Sequence, residues 1–230
     1  MMVAMSNSKA QSVSIAVGDA AVSGLLQAPA QPRACYVLAH GAGAGMTHPF
    51  MATAASGLAE RGIATLRYQF PYMERGSKRP DPPKLAHAAV RAAVAEAATL
   101  FPKLPLIAGG KSFGGRMTSQ AQALDPLPGV RGLAFLGFPL HPAKQPSQER
   151  ARHLADVKVP MLFLQGTRDA LAMLDQIEPV CAALKSRATL KLFEHADHSF
   201  HVPAKSGRKD TDVMREMLDV FAAWTEKVIG

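Results

Sequence analysis

The run Leu106-Ile107-Ala108-Gly109-Gly110-Lys111-Ser112-Phe113-Gly114-Gly115-Arg116 carries the most informative chemistry of the chain. An apolar stretch leads straight into Gly110-Lys111-Ser112-Phe113-Gly114, a G-x-S-x-G pattern, and helix-forming residues follow. This is the context of a nucleophile elbow, a strand-to-helix turn so tight that a side chain at the flanking positions would meet neighbouring backbone. Glycine there leaves the Ser112 hydroxyl exposed while the helix N-terminus directs its N–H groups at the site. A serine alcohol is a weak nucleophile near neutral pH, so it needs a base and an acid that orients the base. On this scaffold they follow in the order serine, acid, histidine, each just after a strand. Met161–Gln165 is an apolar run, and Gly166-Thr167-Arg168-Asp169 after it supplies a turn and an acid. Leu190–Phe193 is the next run, followed by Glu194-His195-Ala196-Asp197-His198-Ser199-Phe200. Asp169 is therefore the candidate acid, because Asp175 and Glu178 fall inside the following helix. His198, far enough from its strand for a loop to carry the imidazole over the serine, is the favoured base, with His195 and His201 as alternatives.

Acyl transfer also needs donors for the oxyanion. One is expected from the backbone N–H of Phe113, directly after the serine. The other should come from Val37-Leu38-Ala39-His40-Gly41-Ala42-Gly43-Ala44-Gly45-Met46, whose small residues let backbone approach a substrate closely; Ala42 is the choice, and His40 is expected to bond within its own loop. Three other readings fail on spacing. Gly110-Lys111-Ser112 mimics the end of a phosphate-binding loop, but Pro105 stands where the leading glycine belongs. Gly41, Gly43 and Gly45 fit neither register of G-x-G-x-x-G, since Met46 or His48 takes the last position. His195, His198 and His201 recur every third residue, which does not put three imidazoles on one helix face, so no metal is expected.

The elements that must position these residues alternate along the chain. Val13–Val17 and Val22–Leu26 flank Gly18-Asp19 as a hairpin, and Cys35–Ala39, Ile63–Tyr68, Leu104–Ala108, Gly132–Phe138, Met161–Gln165 and Thr189–Glu194 read as buried strands. Between them Phe50–Arg61, Lys84–Phe101, Gly115–Leu124, Leu171–Lys185 and Arg208–Val228 read as helices. The expected architecture is α/β, a mostly parallel eight-stranded sheet with helices on both faces. Two proline-rich irregular stretches, Gln69–Pro83 and Pro139–Ser147, are long enough for functional loops and too short for a lid domain. Residues 1–10 are expected to be a flexible N-terminus, and residues 11–230 a single domain.

Composition narrows the function classes. Of 230 residues 48% are hydrophobic and 19% charged, which excludes bulk disorder. No apolar run is long enough to span a membrane. Met1 to Ser14 lacks a basic region and an apolar core, so no secretory signal is expected. Two cysteines, Cys35 and Cys181, lie in apolar surroundings and form no C-x-x-C, which points to the cytoplasm and to a structural role. The formal charge of +8 comes with 6% aromatics and no nucleic-acid motif, so nucleic acid is not the expected partner. Three segments, Gln69–Lys84, Pro139–Lys158 and Ser199–Lys209, hold eleven Lys/Arg against four Asp/Glu. Loops after the strand ends form the active face of such a sheet, so this charge suggests an anionic substrate or an acidic partner steered toward Ser112.

The succession strand-HGAGAG, strand-GGKSFGG, strand-QGTRD and strand-HADHSF, with Phe70-Pro71-Tyr72-Met73-Glu74 and His198-Ser199-Phe200, resembles the α/β-hydrolase superfamily over about residues 13–228. It is most similar to the small lidless branch that groups dienelactone-hydrolase-like esterases with bacterial serine hydrolases and relatives of an animal histone acetyltransferase complex subunit. The resemblance implies the α/β-hydrolase fold without a large lid, a Ser112–Asp169–His198 triad, no cofactor, and hydrolysis of small acyl substrates. Dienelactone hydrolases proper have cysteine where Ser112 stands, which argues against that substrate. The expected function is a carboxylesterase-like serine hydrolase working through an acyl-enzyme; the alternative is a catalytically silent scaffold that binds a protein partner.

Overall fold

Apolar runs of six to eight residues, separated by glycine and proline, assemble into one eight-stranded sheet. The computed structural model describes residues 9–230, and the flexible segment expected over residues 1–10 lies, but for Lys9 and Ala10, outside them. The strands are β1 (Gln11–Val17), β2 (Ala20–Gln27), β3 (Ala34–Ala39), β4 (Ile63–Tyr68), β5 (Leu106–Lys111), β6 (Val130–Leu136), β7 (Met161–Gly166) and β8 (Ala188–Phe193). Their order across the sheet is β1-β2-β4-β3-β5-β6-β7-β8. β1 and β2 form an antiparallel hairpin in which Val17 pairs with Ala20 across Gly18-Asp19, and β2 joins β4 antiparallel; every other neighbour is parallel.

Parallel strands must be crossed over by helices, which bury both sheet faces. Every residue of β3, β4 and β7 is buried, and these strands are mostly apolar for that reason, with Thr65, Arg67 and Gln165 as buried polar exceptions. Two cores result. One face carries α1 (Pro49–Ala59) and α6 (Asp210–Ile229), whose Met51, Leu58, Met217, Phe221 and Trp224 pack on Tyr36, Leu38 and Leu162. The other carries α3 (Pro83–Leu100), α4 (Phe113–Leu124) and α5 (Leu174–Leu184). α3 lies flat on the sheet through Ala86, Ala89, Val90, Ala93, Val94 and Ala97, small residues at helical spacing. Each large apolar side chain enclosed in these layers contributes about 1.5–3 kcal/mol.

The eight expected strands and five expected helices are all present, with ends shifted by a few residues. The sequence reading missed the shorter elements. α2 (Pro71–Glu74) sits inside the Gln69–Pro83 stretch, and a 3₁₀ segment, Glu149–Asp156, occupies the connection from β6 to β7. That connection holds no other regular element, so there is no large lid. Among the described residues no helix is long and apolar enough to cross a membrane. Cys35 and Cys181 are buried and free, and burial pushes both thiols up to about 12.

Candidate active site

β5 is the central strand that delivers Ser112, and it does so by ending in glycines. Ser112 has φ 51° and ψ −116°, a left-handed conformation that a non-glycine residue holds only when its surroundings force it. The forcing contacts are visible at the elbow's glycines. A Cβ on Gly110 would stand 2.2 Å from the Ala39 carbonyl oxygen, and one on Gly114 would stand 2.6 Å from the His40 carbonyl oxygen. β3 and the start of α4 are thus pressed together behind the serine, which leaves its hydroxyl facing the cleft.

β7 and β8 bring in the acid and the histidine. Asp169 follows β7, is 2% exposed, and accepts three hydrogen bonds. Oδ1 takes the Leu171 N–H at 2.8 Å; Oδ2 takes the Gln165 side-chain amide and lies 2.6 Å from His198 Nδ1. His198 Nε2 lies 2.8 Å from Ser112 Oγ. The histidine's loop is shaped by Asp197, whose Oδ1 accepts from the Ser199 and His201 N–H groups at 2.7 and 3.0 Å. The structure thus brings Ser112, Asp169 and His198 into one chain of contacts. It does not bring the alternative histidines there. His195 is exposed, with its ring nearest Glu194, and His201 pairs with Asp210 at the start of α6. The three imidazoles therefore face three different carboxylates.

Ala42 and Phe113 both border the cleft at Ser112. Neither of their N–H groups donates to an acceptor among the described residues, so both remain available to a ligand. The loop that carries Ala42 is held from the Phe70-Pro71-Tyr72 turn. Gly43 N–H donates to Tyr72 Oη at 3.0 Å, and Met46 N–H donates to Gln69 Oε1 at 2.9 Å. His40 ties the same two segments together, wider than the expected bond within its own loop. Nδ1 bonds the Gly41 carbonyl at 2.8 Å while Nε2 accepts the Phe70 N–H at 3.1 Å. That pattern fixes the proton on Nδ1, and burial lowers the imidazole to about 4, so His40 stays neutral.

Three residues with evident roles here escaped the sequence reading. Gln165 bridges Asp169 and the Phe138 N–H, which it accepts at 2.9 Å. Lys111, met in the sequence only as a variable position of the G-x-S-x-G run and in a failed phosphate-loop match, donates to the backbone carbonyl of His198. Its ammonium lies 5.8 Å from the Phe50 ring centre and 5.5 Å from that of Phe200, and burial pushes it down to about 8. Arg116, one turn into α4, lines the cleft on the other side of Ser112. The type of Lys111 and Arg116 and their nearness to Ser112 in the chain were a signal; the direction each side chain takes was not legible.

Two lobes meet at Ser112, sharing Ala42 and Leu171. One, about 400 Å³, runs past His48, Phe50 and Met51; the other, about 370 Å³, runs past Pro83, Arg116 and Arg150. A larger cavity of about 660 Å³ between α1 and α6 contains none of these residues.

The fold is that of an α/β hydrolase. A family model described as "Alpha/beta hydrolase domain" matches residues 32–226, and the chain belongs to that family. Solved structures agree over nearly the whole chain. A dienelactone hydrolase from Anabaena variabilis superposes with a TM-score of 0.78 at 21% identity, covering 96% of this chain and 99% of its own. A lidless α/β serine hydrolase from Xanthomonas campestris gives 0.74 at 19% identity, covering 94% and 95%. An esterase domain from Rhodothermus marinus gives 0.74 at 15% identity, covering 96% and 100%.

Proposed function

We propose that this protein is a carboxylesterase-like serine hydrolase acting on small acyl esters. The observation that carries the reading is the relay itself: Ser112 Oγ at 2.8 Å from His198 Nε2, and His198 Nδ1 at 2.6 Å from Asp169. Asp169 accepts from Nδ1–H, which leaves Nε2 as the acceptor that takes the serine proton. Ser112 Oγ then bonds to the ester carbonyl carbon, and the carbonyl oxygen becomes an oxyanion. The N–H groups of Ala42 and Phe113 stabilise it, each worth about 2.7–4 kcal/mol in the transition state. Collapse breaks the bond to the leaving alcohol, which receives its proton from His198, and leaves an acyl group on Ser112. Water, deprotonated by His198, releases the acid by the same steps in reverse order. The family membership and the fold of the lidless relatives support the class; the ester substrate is our inference from the open two-lobed cleft.

A panel of p-nitrophenyl esters from acetate to octanoate tests it. Turnover is expected to favour short chains, as a cleft with lobes of 400 and 370 Å³ accommodates them, and to vanish in Ser112→Ala and His198→Ala. Turnover that persists in Ser112→Ala would overturn the assignment of the nucleophile.

A further inference from the structure

The lobe that runs from Ser112 toward α3 is lined by two arginines, Arg116 from α4 and Arg150 from the β6–β7 connection. Two neighbouring arginines are paired with carboxylates. Arg75 pairs with Asp81, and Arg152 with Glu149. Among the described residues Arg116 and Arg150 have no such partner. Arg116 Nε is buried with nothing to donate to among the described residues, a cost in a folded protein unless a ligand or water satisfies it. The guanidinium is also held in place, its carbon 5.9 Å from the centre of the Phe113 ring, next to the candidate oxyanion donor.

The surroundings deepen the demand for an anion. Burial and the nearby Arg150 both lower the affinity of Arg116 for its proton. His153 sits close by, neutral because burial and then Arg116 push it down to about 4, and its Nε2 lies 2.7 Å from Ser119 Oγ. Asp81 is the acid on this wall, and both its oxygens are engaged, one by the Tyr72 N–H at 2.7 Å and the other by Arg75. The basic loops of the sequence thus narrow to a specific pair. Arg150 comes from one of them, whereas Arg116 lies in none.

We propose that Arg116 and Arg150 form a carboxylate-binding subsite beside Ser112, so that the substrate is an ester bearing a free carboxylate. A planar carboxylate accepts two parallel N–H bonds from a guanidinium fork, which makes arginine pairs selective for it. The lobe holds about 370 Å³, room for a short acid arm between the reacting carbonyl and the arginines. The assignment rests on the serine-hydrolase reading for its catalytic consequence but not for binding.

Two matched ester pairs test it: p-nitrophenyl glutarate monoester against p-nitrophenyl valerate, and 5-acetoxy-2-nitrobenzoate against p-nitrophenyl acetate, covering both sides of the scissile bond. In at least one pair kcat/KM for the carboxylated ester should exceed its neutral partner by about tenfold or more at low salt. That advantage should fall by a similar factor in Arg116→Gln and in Arg150→Gln, chiefly through KM, and shrink in the wild type as salt rises. Equal rates within both pairs, or an advantage untouched by both substitutions, would overturn the subsite. If the wild type hydrolyses none of the four, the serine-hydrolase reading fails, and calorimetric titration of Ser112→Ala decides the subsite separately. Tighter binding of the carboxylated esters, lost on adding Arg116→Gln, supports it; equal binding of carboxylated and neutral esters rejects it.

Discussion

Asp169 is held by three donors, and Gln165 is the one whose removal isolates a single link. Its amide spans from Asp169 to the Phe138 N–H, so Gln165→Leu strands a buried backbone donor and frees one side of the carboxylate. We expect that variant to lose about 1–3 kcal/mol of stability. It should also lower kcat with little change in KM, since Asp169 would orient His198 less firmly. Chemical denaturation beside steady-state ester kinetics checks both, and an unchanged kcat would contradict the role. Lys111 gives a second prediction with a definite sign. Its folded value near 8 lies below the ordinary 10.5, so the charged form is disfavoured in the folded protein. Below pH 8 that cost is fully present; as pH rises from 8 to 10.5 the unfolded chain still binds the proton and stability is regained. The stability of the wild type relative to Lys111→Met should therefore improve across that window in denaturation midpoints, and a flat difference would refute it. Both residues lie beside the candidate triad, yet neither was legible in the sequence. Ser112, Asp169 and His198 each announce themselves by following a strand, whereas Gln165 sits within one and Lys111 matters through a carbonyl 87 positions away.

At the scale of elements, the elbow depends on how closely β3 approaches α4. Gly114→Ala would place a Cβ 2.6 Å from the His40 carbonyl, a backbone atom that cannot swing aside. We expect a loss of about 1–3 kcal/mol as β3 and α4 separate. Ester hydrolysis should fall further than stability alone explains, because the Ala42 loop continues from His40. Thermal melts paired with activity on the folded fraction test this, and wild-type values in both would contradict it. Strands and long helices were legible because short apolar runs and patterns of period 3.6 stand between glycine and proline punctuation. Their ends were not. β5 reads as stopping at Ala108 because Gly109 and Gly110 have poor strand propensity, yet it continues to Lys111 through pairing with β6. α2 was missed because four residues show no period and the prolines around it suggest loop; the 3₁₀ segment Glu149–Asp156 was missed because its mostly polar residues carry no apolar stripe.

For the whole molecule, acid is the natural stress. His40 and His153 are both held neutral by burial, each near 4 against an ordinary 6.5. Unfolded, they take up protons as pH drops below 6.5; folded, they resist until about 4. Stability is accordingly expected to fall across that interval, and His153→Gln should make the fall shallower than in the wild type. Urea midpoints from pH 7 to 4 give the comparison, and parallel curves would exclude His153 as a contributor. The overall charge was legible as a number and as three basic loops. Its meaning was not, since ion pairs such as Arg208 with Glu216 neutralise part of that charge, while Arg116 and Arg150 have no carboxylate partner among the described residues.

Hydrolysis by the proposed route requires Ser112 as the nucleophile. Incubation with a fluorophosphonate followed by intact-mass measurement and peptide mapping tests this most directly. One phosphonyl group per chain is predicted, mapped to Ser112, absent in Ser112→Ala and greatly slowed in His198→Ala. No adduct, or one that persists in Ser112→Ala, would contradict it.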